Sequence, residues 1–329
     1  MPNQPSTSVQ KISIKTHFLT FLKGMAMGAA DVVPGVSGGT IAFITGIYAR
    51  LLGAIKSVNI TALRLLFQKG IKAAWEHVDG TFLLSLFIGI VVSLFSLAKG
   101  IEWCFTNYPQ LLWSFFFGLI IASSIYILRQ VDQWNLPAIL GLIIGGAVAY
   151  TITVIAPGEA PNEYWMIFLA GSIAISAMIL PGISGSFILL LMGMYRHVLA
   201  AANDLNIPFL LIFMAGCVIG LLLFSHLLSW TFKNYENLTL AVLSGFMMGS
   251  IRKVWPWQNV TATRVNSHGE EVPYLYENVL PSNYVEHPPY LVVCILLLIT
   301  GFAVVFLLEY LGKDVEGSVD VNTNVLLDD

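Results

Sequence analysis

Two short segments of the chain combine glycines with hydroxyl side chains in a pattern that suits anion binding. They are Pro34-Gly35-Val36-Ser37-Gly38-Gly39-Thr40 and Pro181-Gly182-Ile183-Ser184-Gly185-Ser186-Phe187. Glycine lets a ligand approach the backbone closely, and a helix that begins at such a segment has unpaired N–H groups at its positive end. Two such segments facing each other would hold a phosphate or carboxylate without a fixed positive charge. The predicted phosphate-binding residues are Gly35, Ser37, Gly38, Gly39, Thr40, Gly182, Ser184, Gly185 and Ser186.

A second interpretation of the same residues is structural. Small residues such as glycine and serine also permit tight helix packing throughout membrane proteins. The sequence leaves both interpretations open, although the duplication of the segment favours binding.

The two segments are copies of one unit. Residues 34–48 return as residues 181–195, a constant offset of 147 residues, and seven of the fifteen aligned positions are identical. The pattern Trp-x-Phe-x-Asn-Tyr at 103–108 returns at 230–235 with an offset of 127 residues, and Gly118 corresponds to Gly245 at the same offset. Internal duplication with an interrupted apolar segment in each half is typical of secondary transporters.

Composition places the chain in the membrane class. Hydrophobic residues make up 57% and charged residues 11%, and the mean hydropathy is +0.78, whereas soluble domains carry about 25% charged residues. The N-terminus shows no pattern of a cleavable signal peptide. Three scattered cysteines without neighbouring ligands indicate neither a disulfide framework nor a metal site. We expect no catalytic residues, no cofactor and no nucleic-acid partner.

The apolar segments predict an all-α polytopic membrane protein built from two inverted-topology repeats. A membrane-spanning helix needs about twenty apolar residues, and the predicted spans are 81–98, 109–128, 136–156, 207–230, 238–255 and 289–311. Two further apolar segments, 17–52 and 165–196, are each interrupted at the Pro-Gly step and predict re-entrant helical hairpins. The first repeat therefore covers 17–156 and the second covers 165–311.

The distribution of lysine and arginine predicts the orientation. With residues 1–16 in the cytoplasm, eleven of the sixteen basic residues face inward, as the positive-inside rule expects. They are Lys11, Lys15, Lys23, Arg50, Lys56, Arg64, Lys69, Lys72, Arg129, Lys233 and Lys313. Three full spans separate the two hairpins, so the second hairpin is inverted relative to the first and enters from the opposite face. The tips of the hairpins would then meet near the middle of the membrane.

Three ionisable residues lie close to the hairpins. Asp31 precedes Pro34 by three residues, and an acid at membrane depth is a functional candidate; it would bind a coupling proton or sodium ion, or it would cap the tip or pair with a base. Its counterpart in the second copy is Met178. Arg50 and Arg196 follow the hairpins on opposite faces, where each would attract a lipid phosphate or serve as an interfacial anchor.

The remaining segments predict contacts with the surface of the membrane. Residues 56–79 alternate apolar and basic side chains, as in an amphipathic helix that lies on an anionic inner leaflet. Residues 312–329 predict an acidic cytoplasmic tail.

The hairpin motifs resemble the PopT-type polyprenyl-phosphate translocases of the bacterial inner membrane. The similarity rests on Gly24-x3-Gly28-x-Ala30-Asp31-Val32-Val33 before the first motif and Ala177-Met178-Ile179-Leu180 before the second, and it extends over about residues 17–311. The resemblance implies the return of undecaprenyl phosphate, a polyprenyl phosphate lipid carrier, from the outer to the inner leaflet for cell-envelope synthesis. Members often carry an acid after the tyrosine of each motif, where this chain has Ala49 and Arg196.

Two other functions compete with transport of a lipid. A small-anion channel or exchanger would use the same helix N-termini. Polyprenyl pyrophosphate phosphatases of the membrane have similar paired hairpins, but their Pro-Gly-x-Ser element is followed by an arginine where this chain has Gly38 and Gly185. The first hairpin also lacks a pair of glutamates for acid–base or metal chemistry.

Overall fold

A computed structural model describes residues 14–32, 36–155, 161, 163–265 and 271–316. Most of the first predicted segment, most of the acidic tail and Gly35 of the first motif lie outside the described residues. Four helices are long and apolar enough to cross a membrane, and up to seven spans result if each of three bent helix pairs counts as one. The chain therefore has the predicted class of a mostly helical, polytopic membrane protein.

Fifteen α-helices follow one another along the described residues. They are α1 (Ile14–Val32), α2 (Gly38–Ile44), α3 (Tyr48–Lys56), α4 (Ile60–Lys69), α5 (Ile71–His77), α6 (Gly80–Ser96), α7 (Ala98–Asn107), α8 (Pro109–Leu128), α9 (Leu136–Val154), α10 (Tyr164–Ile179), α11 (Gly185–Leu191), α12 (Tyr195–Asn203), α13 (Ile207–Asn234), α14 (Glu236–Ser250) and α15 (Leu291–Glu316).

Each interrupted apolar segment contains a second break that the sequence analysis did not predict. The first is α1, α2 and α3, and the axis bends by 116° between α2 and α3; the second is α10, α11 and α12, with a bend of 109° between α11 and α12. Gly46 and Gly193 lie at these bends with φ of 72° and 70°, a conformation that glycine adopts without a steric penalty. The two glycines are equivalent in the repeat, so the same residue produces the same bend twice.

The predicted spans correspond to helices with shifted ends. Spans 109–128 and 136–156 correspond to α8 and α9, while 207–230 is extended by α13 to Asn234. Span 81–98 ends earlier, at Ser96, and is followed by the separate helix α7. Span 238–255 is shorter as an α-helix, because α14 ends at Ser250 and a 3-10 turn occupies Ile251–Val254.

The segment 56–79 forms two short helices instead of one. They are α4 and α5, and they meet at Gly70, whose φ of 85° ends the first helix. The apolar side chains of Ile60, Phe67 and Ile71 are exposed. An exposed apolar surface beside lysines suits a helix pair that lies on a lipid surface.

The sequence analysis missed a small β-sheet in the loop between α14 and α15. Strand β1 (Gln258–Val265) pairs antiparallel with β2 (Glu271–Asn278), with an irregularity of register near Ala262. The otherwise helical fold thus carries one β-hairpin at the surface end of α14.

Equivalent helix pairs in the two copies make the same close contact. Gly24 of α1 lies so close to α6 that an added methyl group would collide with the carbonyl oxygen of Leu86, and Gly171 of α10 has the same relation to Phe213 of α13. Gly171 follows Gly24 by 147 residues, and Phe213 follows Leu86 by 127, which are the two offsets of the repeat. The duplicated sequence therefore forms a duplicated interface.

A second interface exchanges partners between the copies. Gly118 of α8 packs against the carbonyl oxygen of Leu298 in α15, and its repeat equivalent Gly245 of α14 packs against Leu142 in α9. Along the repeat, α8 corresponds to α14 and α9 corresponds to α15. The last two helices of each copy therefore pack against those of the other copy, and the two halves are interlocked.

Candidate functional site

The first tip is the connection between α1 and α2. Ser37 precedes α2 in an extended conformation, and its Oγ accepts the Gly39 N–H at 3.1 Å, as a residue at a helix N-cap does. All residues of α2 are buried, so this short helix lies inside the protein. Residues 33–35, which include Pro34, lie outside the described residues.

Asp31 binds the beginning of α2. Its Oδ1 accepts the Gly38 N–H at 2.7 Å, and its Oδ2 would lie 2.6 Å from a methyl group added at Gly38. Of the two roles that the sequence left open, the cap is the one visible in the structure, while a role in ion coupling stays a prediction. The N–H groups predicted to bind an anion are bound here by the carboxylate of the protein itself.

The second tip, between α10 and α11, has no such carboxylate. Its turn contains Gly182 with φ of 87°. Ser184 precedes α11 without making a capping hydrogen bond, and its Oγ lies 2.8 Å from the Oγ of Ser186. Met178 occupies the position equivalent to Asp31. The second tip therefore offers two hydroxyls and the start of a helix that no acid caps in the part of the chain that the structure describes.

The two tips touch each other. Ser37 Oγ donates to the carbonyl oxygen of Met178 at 3.0 Å, and Thr40 Oγ1 accepts the Gly182 N–H at 3.1 Å. Because these bonds join residues 141 and 142 positions apart, they link the copies directly. The convergence that the repeat predicted is thus present, but the hydroxyls of the first tip are already engaged by the second.

The glycines of the tips make protein contacts. A methyl group at Gly39 would collide with the carbonyl oxygen of Ile179 across the junction, and one at Gly185 would lie 2.7 Å from the carbonyl oxygen of Ala174. In this arrangement the packing interpretation describes Gly38, Gly39 and Gly185. A phosphate between the tips would have to replace contacts that the two copies now make with each other.

The two arginines near the hairpins differ in their surroundings. Arg50 forms a two-pronged ion pair with Asp79, with Nε 2.6 Å from Oδ2 and Nη2 3.1 Å from Oδ1, and its guanidinium lies 4.3 Å from the centre of the Phe82 ring. The acid neutralises its charge, so the anchoring interpretation describes Arg50 better than attraction of a lipid phosphate. Arg196 is half-buried at the second position of α12.

The sequence analysis missed two polar residues at the junction. Tyr48 is buried, and its hydroxyl donates to the carbonyl oxygen of Ile179 at 3.2 Å. Ser250 is also buried, and its Oγ lies 2.7 Å from where a methyl group on Gly182 would stand. Both carried a signal, because Tyr48 repeats as Tyr195 and Ser250 follows Ser123 by the offset of 127 residues.

A separate depression of about 800 Å³ lies at the other end of the second hairpin. It is lined by Glu163, Tyr164, Trp165, Ile167, Asn206, Pro208 and Phe209. These residues belong to the beginnings of α10 and α13 and do not include the tips. Among the described residues, no cluster of three or more His, Cys, Asp or Glu side chains could hold a metal ion.

Comparison with known proteins gives a consistent result. Residues 27–272 match a family described as undecaprenyl phosphate translocase-like. The chain is 49% identical over 296 residues to a Vibrio cholerae protein named polyprenyl-phosphate transporter, which covers 89% of this chain and 96% of that protein. It is 30% identical over 257 residues to a Staphylococcus aureus protein of the same name, with 73% and 86% covered. No solved structure matches the chain.

Proposed function

The chain belongs to the undecaprenyl phosphate translocase-like family, and we propose that it transports polyprenyl phosphate across the bacterial inner membrane. The direction we propose is from the outer to the inner leaflet, which returns the carrier for synthesis of the cell envelope. Both relatives are named transporters, so a function without catalysis fits the family. The observation that carries the proposal is the direct junction of two duplicated Gly-Ser tips inside a polytopic membrane protein.

The two copies are proposed to be inverted repeats with cytoplasmic termini. An odd number of predicted spans separates the hairpins, and the exchanged packing of α8 with α15 and of α14 with α9 supports a two-fold relation. Inverted repeats place equivalent hairpins at opposite faces of the membrane around a shared site. One hairpin would open to the cytoplasm and the other to the outside.

The proposed phosphate site lies between the tips, at residues 34–40 and 181–187. An ionised group at the centre of a bilayer costs at least about 2.5 kcal/mol, so a flipped lipid needs a polar shelter for its head while its tail stays in lipid. The hydroxyls of Ser184 and Ser186 and the start of α11 would bind the phosphate first, because no acid of the described chain caps them. The head would then displace the bonds that Ser37 and Thr40 make across the junction.

These displaced bonds suggest how access alternates. With Thr40 bound to Gly182 and Ser37 bound to Met178, the tips close the path between the two faces. A phosphate that takes over these partners separates the tips, and the copies can then rock about the bound head. Because all three partners are polar, the exchange replaces hydrogen bonds instead of leaving buried groups unpaired.

Asp31 is proposed to couple transport to an ion. Its carboxylate occupies the N–H of Gly38, and a phosphate that approaches the first tip meets a like charge. Binding of a proton or a sodium ion to Asp31 would remove that repulsion and free the N–H for the phosphate. Uptake would then depend on the gradient of that ion.

The surface helices α4 and α5 are proposed to rest on anionic lipids of the inner leaflet. Their exposed apolar residues Ile60, Phe67 and Ile71 would enter the headgroup layer. Lys69 and Lys72 would add electrostatic attraction to anionic headgroups.

Transport of polyprenyl phosphate by purified protein in liposomes tests the proposal. Ser37→Ala, Ser184→Ala and Asp31→Asn are expected to lower the rate or change its ion dependence. Ser114→Ala is the matched control, because Ser114 Oγ is equally buried and donates to the carbonyl oxygen of Gln110 within its own helix. Normal transport by all three tip variants would refute the site. Flux of a small anion in liposomes that contain no polyprenyl lipid would favour a channel, and release of inorganic phosphate from the pyrophosphate would favour a phosphatase.

A further inference from the structure

We propose that Arg252 and Lys253 form a capture site for the phosphate head of the lipid at the face of the membrane that carries the β-hairpin. This inference rests on the proposed transport of polyprenyl phosphate and adds the residues that first bind the substrate. The ligand class is a phosphate monoester on a lipid, which two adjacent cations beside aromatic rings recognise by charge and hydrogen bonding.

The β-hairpin fixes the turn that carries the two cations. Asn278 Nδ2 donates to the carbonyl oxygen of Arg252 at 2.8 Å, and Gln258 Nε2 donates to that of Lys253 at 3.0 Å. These two donors are the paired residues at the ends of β1 and β2. The hairpin thus holds the backbone of the turn from both strands, and the positions of the charges are set before a ligand arrives.

Lys253 lies between the hairpin and the second tip. Its Nζ lies 4.7 Å from the centre of the Phe187 ring and 5.5 Å from that of the Tyr276 ring. The side chain is half-buried. The ion pairs of the described residues join Arg50 with Asp79 and Lys72 with Glu76, so no described acid pairs with Lys253. A half-buried cation that only aromatic rings accompany can still bind an anion.

Arg252 extends the same site towards the aqueous surface. Its side chain is exposed, and its guanidinium lies 5.8 Å from the centre of the Tyr150 ring at the end of α9. A lipid phosphate that arrives from the headgroup layer would meet this residue before it reaches Lys253. The pair therefore forms a path from the surface inward.

The inner end of this path is the second tip. Phe187, which lies under the ammonium group of Lys253, directly follows Ser186 in α11. Ser250, which directly precedes the turn, lies against Gly182. Two contacts therefore join the cationic turn to the two sides of the tip whose hydroxyls are proposed to bind the phosphate.

The first copy has no equivalent of this cationic pair. At the offset of 127 residues, Arg252 and Lys253 correspond to Ile125 and Tyr126. The repeat is therefore asymmetric in charge at this position. Capture would occur at one face only, and the positive-inside count predicts that this is the outer face, from which the lipid must be collected.

The experiment measures uptake by the intact protein in liposomes as a function of the polyprenyl phosphate in the leaflet on the β-hairpin side. Lys253→Gln and Arg252→Gln are each expected to raise the half-saturating lipid concentration by about tenfold or more, because a hydrogen bond to a charged group is lost. The maximal rate should change much less, and Lys253→Arg should keep most of the affinity. Lys99→Gln removes an exposed charge predicted to lie on the same side and serves as the control.

Each outcome has a distinct meaning. Absence of transport by the unaltered protein would overturn the proposed function and the capture site with it. Transport by the unaltered protein with the same half-saturation in both glutamine variants would overturn the capture site alone. Arg252→Gln keeps the test valid if Lys253→Gln fails to fold, because Arg252 is exposed. Inorganic phosphate added on the hairpin side should compete weakly; competition as strong as that of the lipid would show a site for free phosphate and overturn the assignment to a lipid head.

Discussion

Replacing Thr40 by valine removes one hydroxyl from the junction of the two tips. Thr40 Oγ1 accepts the Gly182 N–H at 3.1 Å, and the side chain has no exposed surface. Valine keeps the shape of threonine but leaves that N–H without its acceptor in a buried place. An unpaired buried donor costs about 1–3 kcal/mol. The equilibrium between joined and separated tips should therefore shift by about 5–150-fold towards separation.

Amide hydrogen exchange of the protein in nanodiscs measures this shift. Residues 180–184 should exchange about 5–150-fold faster in Thr40→Val than in the unaltered protein, because the lost bond protects the amide of Gly182. Thr45→Val is a matched control. The Thr45 hydroxyl donates to the carbonyl oxygen of Ile41 at 2.8 Å within the first hairpin, so its loss should leave the exchange of the second tip unchanged.

Two results would refute this reasoning. Unchanged exchange at residues 180–184 in Thr40→Val would show that the bond does not hold the tips together. An equal acceleration in Thr45→Val would show that any loss of a hydroxyl from this hairpin loosens the fold, without a specific effect at the junction.

Three further predictions test other contacts of the chain. Gly39→Ala should lower the free energy of unfolding by about 1–3 kcal/mol, whereas Gly53→Ala, whose methyl group would meet nothing within 4 Å, should not; equal thermal stability of the two variants would contradict this. Asp31→Asn should tighten binding of polyprenyl phosphate by about tenfold or more, since like charges about 4 Å apart repel strongly, and should abolish the dependence of transport on an ion gradient; weaker binding in titrations would argue for a cap alone. A double-mutant cycle of Arg50→Gln and Asp79→Asn should give a coupling of about 0.2–1 kcal/mol, because the side chains are 40% and 34% exposed; a larger coupling in unfolding measurements would show that the pair is structural.

The sequence predicted those features that repetition makes visible. The Trp-x-Phe-x-Asn-Tyr pattern forms the same local structure twice, with ring centres 5.7 Å apart for Trp103 and Tyr108 and 5.6 Å apart for Trp230 and Tyr235. Long apolar runs with polar ends also predicted the positions of the longest helices. In both cases the information is local, since the residues that determine the structure are neighbours in the chain.

The features that were missed depend on contacts between distant residues. The bonds from Ser37 and Thr40 to the second tip could not be predicted, because the same glycines and serines suit a ligand equally well. The bends at Gly46 and Gly193 were missed because a single glycine in an apolar run is usually tolerated in a helix. The β-hairpin was missed because the acidic composition of its loop concealed two short strands.

The candidate site was predicted in its position but not in its symmetry. Two copies of one motif predicted two equivalent tips, whereas the structure gives the first tip an internal acid and leaves the second without one. The substitution of Met178 for the equivalent of Asp31 was visible in the sequence. Its consequence became clear only when the carboxylate was found on the N–H of Gly38.

A structure of the protein with bound polyprenyl phosphate would test the central claim most directly. The phosphate oxygens should lie within hydrogen-bonding distance, about 2.5–3.2 Å, of the hydroxyls of Ser184 and Ser186, with the bond between Thr40 and Gly182 broken. A phosphate held elsewhere, with the tips still joined as they are here, would contradict the account.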